Sequence, residues 1–199
     1  MNSPTTHLKW ATVILGSAAT LWPAVRFEAG GPSFQGLGDF SGGFFSSAAN
    51  DTPADGAVVV GRGTTASCNL LAFRWTVANG VVSVGDLPGV PCGSEGFAVS
   101  NDGSTVIGSS NSAASGVFPE ALRWTQAGGM VGLGDLPGGA LQSEAHAVSA
   151  DGSVIVGGSG SANSLTRDEA FDWTAATAMV GFGDLPEEGP GPKFLEIDP

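Results

Sequence analysis

Gly-Asp followed by an apolar residue returns four times along this chain, at Gly38-Asp39-Phe40, Gly85-Asp86-Leu87, Gly134-Asp135-Leu136 and Gly183-Asp184-Leu185, in steps of 47, 49 and 49 residues. A second marker keeps the same frame. Asp55-Gly56, Asp102-Gly103 and Asp151-Gly152 each fall 17 residues after a Gly-Asp pair. A third does too, since Trp75, Trp124 and Trp173 are 49 residues apart. Three markers in one register mean that a single structural unit has been copied along the chain, and a period of 40–50 residues restricts the fold to stacked or radially repeated units. The copies run over about 38–84, 85–133 and 134–182.

Inside a unit the apolar residues alternate with a period of two. In the third unit, residues 145–149 and 154–157 are short β-type runs flanking Asp151-Gly152, a dipeptide that accepts the positive φ of a tight hairpin turn. A Ser/Asn/Gly-rich loop follows over 158–168, then strand-like residues 169–174, a small-residue turn, and residues 179–182. Pro186 cannot donate to a ladder and closes the run. Each unit therefore reads as four antiparallel strands, a to d, and the chain as all-β. Four strands in a unit of this size, repeated, predict a partial β-propeller-like array of blades. A β-trefoil is the alternative, because it also uses three four-stranded units. Phe73 with Trp75, Leu122 with Trp124, and Phe171 with Trp173 share one face of strand c, the face expected to pack on a neighbouring unit as repeat core.

Residues 149–157, 169–173 and 131–139 carry a further signal, because their motifs resemble the bacterial extracellular HAF repeats. That family takes its name from a His-Ala-Phe triplet before the tryptophan. Here the triplet reads Leu71-Ala72-Phe73, Glu120-Ala121-Leu122 and Glu169-Ala170-Phe171, so the histidine is missing each time. The resemblance runs from about Phe34 to Pro186 and implies secretion or surface display with a propeller-like fold. It brings no catalytic residues. Family members often carry more than three units, which implies a short chain, a fragment, or an array completed by a partner. The first unit departs from the pattern at Ala49-Asn50-Asp51-Thr52-Pro53, where a proline and two polar residues are expected to weaken the first strand.

Residues 1–31 read as a signal peptide, with a polar start, one cation, and an apolar run from Trp10 to about Trp22. An N-terminal strand packed on the domain is the other reading. The repeat domain spans 34–186, and 187–199 form a Pro- and acid-rich tail. No apolar run is long enough for a membrane span. Lys and Arg number 7 against 19 acids, a net charge of −12, which excludes a phosphate-tracking surface for nucleic acid. In an exported chain the two cysteines, Cys68 and Cys92, are expected to pair. One lies in a b–c loop and the other in the next d–a connection, and both emerge at the same end of an antiparallel unit.

The remaining polar motifs favour structure over chemistry. Asp39, Asp86, Asp135 and Asp184 supply one carboxylate per unit, whereas a calcium loop concentrates several oxygen ligands, so they read as turn formers. Asp55, Asp102 and Asp151, with Gly56, Gly103 and Gly152, read as hairpin turns. His146 has no second histidine beside it for zinc or a triad, His7 lying in the leader. No catalytic, cofactor or metal residue is therefore assigned. The expected function is a secreted or surface-displayed, non-catalytic module for binding, adhesion or matrix structure. Its expected ligand is a glycan or another surface protein, its recognition is expected in loops 64–70, 109–119 and 158–168, and self-association is a further expectation, as a way of completing the array. The alternative is an extracellular glycan hydrolase or lyase using Glu120, Glu169 or Asp172.

Overall fold

Alternation along short segments gives each strand of this chain two working faces. The computed structural model describes residues 35–68, 70–162 and 168–183. They form twelve β-strands and no helix. Blade 1 comprises β1 (Ser47–Asp51), β2 (Val58–Gly63), β3 (Leu71–Thr76) and β4 (Gly80–Gly85). Blade 2 comprises β5 (Glu95–Val99), β6 (Thr105–Asn111), β7 (Pro119–Thr125) and β8 (Gly129–Gly132). Blade 3 comprises β9 (Ser143–Val148), β10 (Val154–Ser159), β11 (Glu169–Thr174) and β12 (Ala178–Gly181). Each blade is a separate antiparallel sheet whose strand order follows the chain. Three separate sheets rule out the trefoil, in which strands of all units share one barrel. Successive blades touch through the first strand of the later one, while the last strands barely meet. The sheets thus converge at strand a and splay at strand d, as propeller blades do.

Two seams of side chains join the three blades. On β2, Val58 and Val60 point to the face that meets blade 2 and pack with Val99 and Val106, and Trp124 lies against them. On blade 2 the opposite face presents Ile107 and Ala121 to Ala145, Ile155 and Phe171 of blade 3, with Trp173 and Met179 alongside. Each such aliphatic or aromatic side chain taken from water contributes about 1.5–3 kcal/mol. The seams are the core of the array.

Buried serines stitch the same seams. The Ala72 N–H donates to Ser94 Oγ, which donates to the Gly85 carbonyl (3.0 and 2.8 Å). One repeat later, the Ala121 N–H donates to Ser143 Oγ, which donates to the Gly134 carbonyl (2.9 and 2.6 Å). In the other direction, the N–H groups of Leu87 and Leu136 donate to Ser110 and Ser159 (3.1 and 2.9 Å). These hydroxyls satisfy backbone groups that the crossover between sheets leaves without ladder partners.

Asp-Gly lies in each a–b hairpin turn, and one local expectation, about the first strand of blade 1, is corrected. The Gly103 N–H bonds the Ser100 carbonyl and the Gly152 N–H bonds the Ser149 carbonyl, so the aspartate sits third in a four-residue turn and glycine fourth. Positive φ is needed only at that glycine (69° and 72°). The first strand of blade 1 also forms, because Pro53 lies beyond its end. Its polar residues bridge to blade 2 instead of weakening the sheet. Asn50 Nδ2 donates to Glu95 Oε1 and the Gly96 carbonyl (2.9 and 2.8 Å), and Asp51 Oδ2 accepts from the Val99 N–H (2.9 Å).

The a–b pairing carries the same irregularity in every blade, opposite Gly61, Gly108 and Gly157. The partner strand comes so close there that a Cβ on Gly108 would lie 1.9 Å from the Glu95 carbonyl oxygen. Glycine is required by that approach. Gly108→Ala is expected to cost about 1–3 kcal/mol or more in denaturant unfolding, the range for forced overpacking. An unchanged midpoint would contradict the close approach.

Candidate binding surface

In an antiparallel blade the b–c loop and the d–a connection emerge at one end, and the a–b and c–d turns at the other. The b–c loops of this chain lie between β2 and β3, between β6 and β7, and between β10 and β11, and β6, β7 and β10 extend into the second and third further than expected; residues 69 and 163–167 lie outside the described residues. The d–a connections stand beside them. Most of the large exposed apolar side chains outside the sheet faces collect at this end. Phe44 is 87% exposed and Phe45 94%, both in the connection leading into β1, while Val117 and Phe118 project from the b–c loop of blade 2. The first connection is tied to the first b–c loop, since Thr64 Oγ1 donates to the Phe44 carbonyl and the Thr64 N–H to the Ser46 carbonyl (3.0 Å).

The same end holds the cysteines and the Gly-Asp motifs. Cys68 and Cys92 are joined by a disulfide, with Cα atoms 5.1 Å apart. Asp39 accepts from the Phe40 and Ser46 N–H groups (2.8 Å each), closing the first connection. Asp86 Oδ2 accepts from the Cys92 N–H (3.1 Å), so the second connection is folded around the disulfide. Burial, and secondarily the charge of Glu120, holds the Asp135 carboxyl above its ordinary pKa. The preceding glycines, Gly85 and Gly134 among them, have positive φ (89° and 77°), which is why Gly precedes Asp. Asp184 lies outside the described residues. The apolar residue after Asp plugs the seam: Leu87 and Leu136 are buried, and Phe40 stands edge-on to Phe73 at 6.4 Å.

At the opposite end the hairpin aspartates fold their own turns. Asp55 accepts from the Ala57 N–H (2.9 Å), Asp102 from the Ser100 hydroxyl and the Ser104 N–H (2.6 and 3.0 Å), and Asp151 from the Ser149 and Ser153 hydroxyls (2.6 and 2.7 Å). The Ser100 hydroxyl draws the Asp102 carboxyl below its ordinary pKa. For Asp151 the Ser149 hydroxyl, then Ser153, bring it down to about 2.

Phe73, Leu122 and Phe171 are fully buried, whereas Trp75, Trp124 and Trp173 are half-buried beside them. Arg123 lies over Trp173, 6.0 Å from the ring centroid. One seam earlier, Arg74 and Trp124 line a groove of about 240 Å³ with Thr76 and Val82, and Arg74 Nε donates to the Gly103 carbonyl (3.2 Å). The acids considered for hydrolysis lie on two blades, Glu120 on β7 and Glu169 with Asp172 on β11. Glu120 is buried and its Oε1 accepts from the Gly134 N–H (3.3 Å). Glu169 repeats this with Gly183 (2.8 Å). Asp172 lies on the outer face of blade 3, opposite Val156 and Val180. His146 is exposed and stacks on Phe97 (centroids 6.1 Å apart). Among the described residues no group of three or more His, Cys, Asp or Glu is placed to hold a metal, and no helix is long and apolar enough to cross a membrane. The seam serines and the glycines opposite the irregular pairings were not singled out from the sequence, although Ser94 with Ser143 and Ser110 with Ser159 keep the 49-residue spacing.

No family model matches this chain, and no curated protein matches it. Among solved structures it is similar to TolB from Acinetobacter baumannii (TM-score 0.48, 17% identity, covering 73% of this chain and 33% of that one). It is also similar to a putative TolB from Agrobacterium tumefaciens (TM-score 0.45, 13% identity, covering 65% and 46%). The chain spans less than half the length of each.

The Cys68–Cys92 link closes a separation of 24 residues. Replacing both cysteines by serine is expected to lower unfolding free energy by about 3 kcal/mol, measured by denaturant titration. For Asp151 the folded pKa lies below the ordinary 3.8, so its hydrogen bonds stabilise above that value and the contribution fades as pH falls towards about 2. Ser149→Ala should move the Asp151 carboxyl titration, followed by NMR, back towards 3.8 and shift acid unfolding to higher pH.

Proposed function

We propose that this chain is a secreted or surface-displayed, non-catalytic binding module. Its recognition surface is the end of the blades that carries the b–c loops and d–a connections. The observation that carries this reading is the exposure of Phe44, Phe45, Val117 and Phe118 on loops at that end. Large apolar groups held in water above a rigid scaffold are characteristic of contact sites, because exposing them costs free energy that only a partner recovers. Phenyl rings of this kind stack on sugar faces or seat in apolar pockets of a protein, so the ligand is a glycan or another surface protein.

Secretion is supported by the disulfide, by the leader-like composition of residues 1–31, and by the resemblance to HAF repeats. A non-catalytic role is supported by Glu120 and Glu169, each of which is engaged with a backbone N–H of its own blade.

The test is a Phe45→Ser, Phe118→Ser double variant compared with wild type on a glycan array and against purified surface proteins. Binding is expected to fall about tenfold or more, with little change in melting temperature because both rings are exposed. Wild-type binding that survives the double change would remove this surface from consideration. Turnover of a polysaccharide panel that disappears in Glu120→Ala, Glu169→Ala or Asp172→Ala would instead establish the hydrolase.

A further inference from the structure

Blades 1 and 2 meet in a groove at the end of the blades opposite the loop surface. Arg74, Val82 and Trp124 line it, together with Asn79 and Gln126 from the c–d turns of the two blades. A second groove, of about 430 Å³, shares Arg74, Trp124 and Gln126 with the first and continues past Arg123 to Asp102 and Asp151. Of the three arginines among the described residues, Arg62 is paired with Glu95 (3.0 Å), and the other two stand here. Each is held in place, Arg74 by its bond to the Gly103 carbonyl and Arg123 by its position over the Trp173 ring.

The repeat separates what the fold needs from what the groove adds. All three c–d turns are closed in one way, by an N–H that donates to the threonine hydroxyl three residues earlier: Asn79 to Thr76, Gly128 to Thr125 and Thr177 to Thr174 (3.2, 3.0 and 3.2 Å). The turn accepts Asn, Gly or Thr at that position, and Val77, Gln126 or Ala175 two residues before it. Neither Asn79 nor Gln126 is therefore required by the turn. Both are exposed, and both line the groove of the first seam.

We infer that the joined grooves bind a neutral oligosaccharide. The half-buried Trp124 indole offers an apolar face to the C–H groups of a sugar ring. The guanidinium and amide groups around it supply donors and acceptors for the hydroxyls. Charge selects against other ligands. Arg74 and Arg123 are balanced by Asp102 and Asp151, and the chain carries a net charge of −12, so an acidic sugar or peptide gains no net attraction. A basic ligand meets two guanidinium groups. About 240 Å³ beside about 430 Å³ is the size of a site for more than one ring, so the ligand is a chain of sugars. This site lies at the other end of the blades from Phe45 and Phe118 and does not rest on the reading of that surface.

The full chain is titrated, with NMR detection, with neutral hexasaccharides of glucose, mannose, galactose and N-acetylglucosamine, and with an oligo-uronate, an acidic peptide and a basic peptide for comparison. A neutral hexasaccharide is expected to move the Trp124 indole N–H and Gln126 side-chain amide signals, in wild type and equally in the Phe45→Ser, Phe118→Ser variant. Asn79→Gly with Gln126→Ala installs the residues that Gly128 and Ala175 supply at the matching positions, so the fold is kept. Loss of two hydrogen-bonding side chains should weaken binding about tenfold or more. Arg74→Lys, which keeps the charge and loses the planar fork, should weaken it as well. The proposal is overturned if no neutral hexasaccharide moves those signals, if only the uronate or a peptide does, or if both groove variants bind at full strength. Loss of the shifts in the Phe45→Ser, Phe118→Ser variant would assign the sugar to the loop surface and overturn it too.

Discussion

Sheet-on-sheet burial is the constraint on which this structure depends. A four-stranded antiparallel sheet has two faces, and among the described residues no helix covers either. Stability must come from one sheet lying on the next, as it does for any secondary structure with an apolar face. Val58 and Val60 are buried only because blade 2 exists, and Ile107 and Ala121 only because blade 3 does. The other regularities serve that contact. The glycines opposite the irregular pairings let strand a approach closely, the Gly-Asp turn steers the chain across the seam, and the apolar residue after it fills the gap.

The repeat frame was legible because it is written in residues with strong local preferences. Tryptophan, Gly-Asp and Asp-Gly at constant spacing identify the strands and the turns between them, and alternation identifies the faces of strand c. The seam serines were much less legible. Ser94 and Ser143 sit in loop-like sequence rich in Ser and Gly, where a hydroxyl that bonds two backbone groups looks the same as one in solvent. The position of Asp-Gly within the hairpin turn was not legible either: the pair suits the centre or the end of a turn, and only the bond to Ser100 or Ser149 distinguishes them. Asn50 and Asp51 seemed unfavourable in a strand because their partners, Glu95, Gly96 and Val99, are about forty-five residues away and belong to another sheet.

The candidate surface was legible in its location but not in its chemistry. Strand order alone assigns the b–c loops and d–a connections to one end. It does not separate Phe40, which stands against Phe73, from Phe44 and Phe45 in the same connection, which face water. The acids show the converse. Glu120 and Glu169 recur with the repeat because each caps a chain crossover, a role that any copy of the unit needs whatever it binds. Recurrence of a carboxylate is thus explained by architecture before chemistry.

The covalent link at the first seam has a mechanical consequence. Under a pulling force applied to the ends of the chain, the segment between Cys68 and Cys92 cannot extend, although it contains β3 and β4. Those 24 residues would otherwise contribute about 80 Å of contour length. Tension bypasses them through the sulfur atoms, so shear on blade 1 falls on β1 and β2 while its outer hairpin stays slack. A protein anchored at one terminus and loaded at the other would therefore lengthen in a short first step, and a reducing medium would make that step longer.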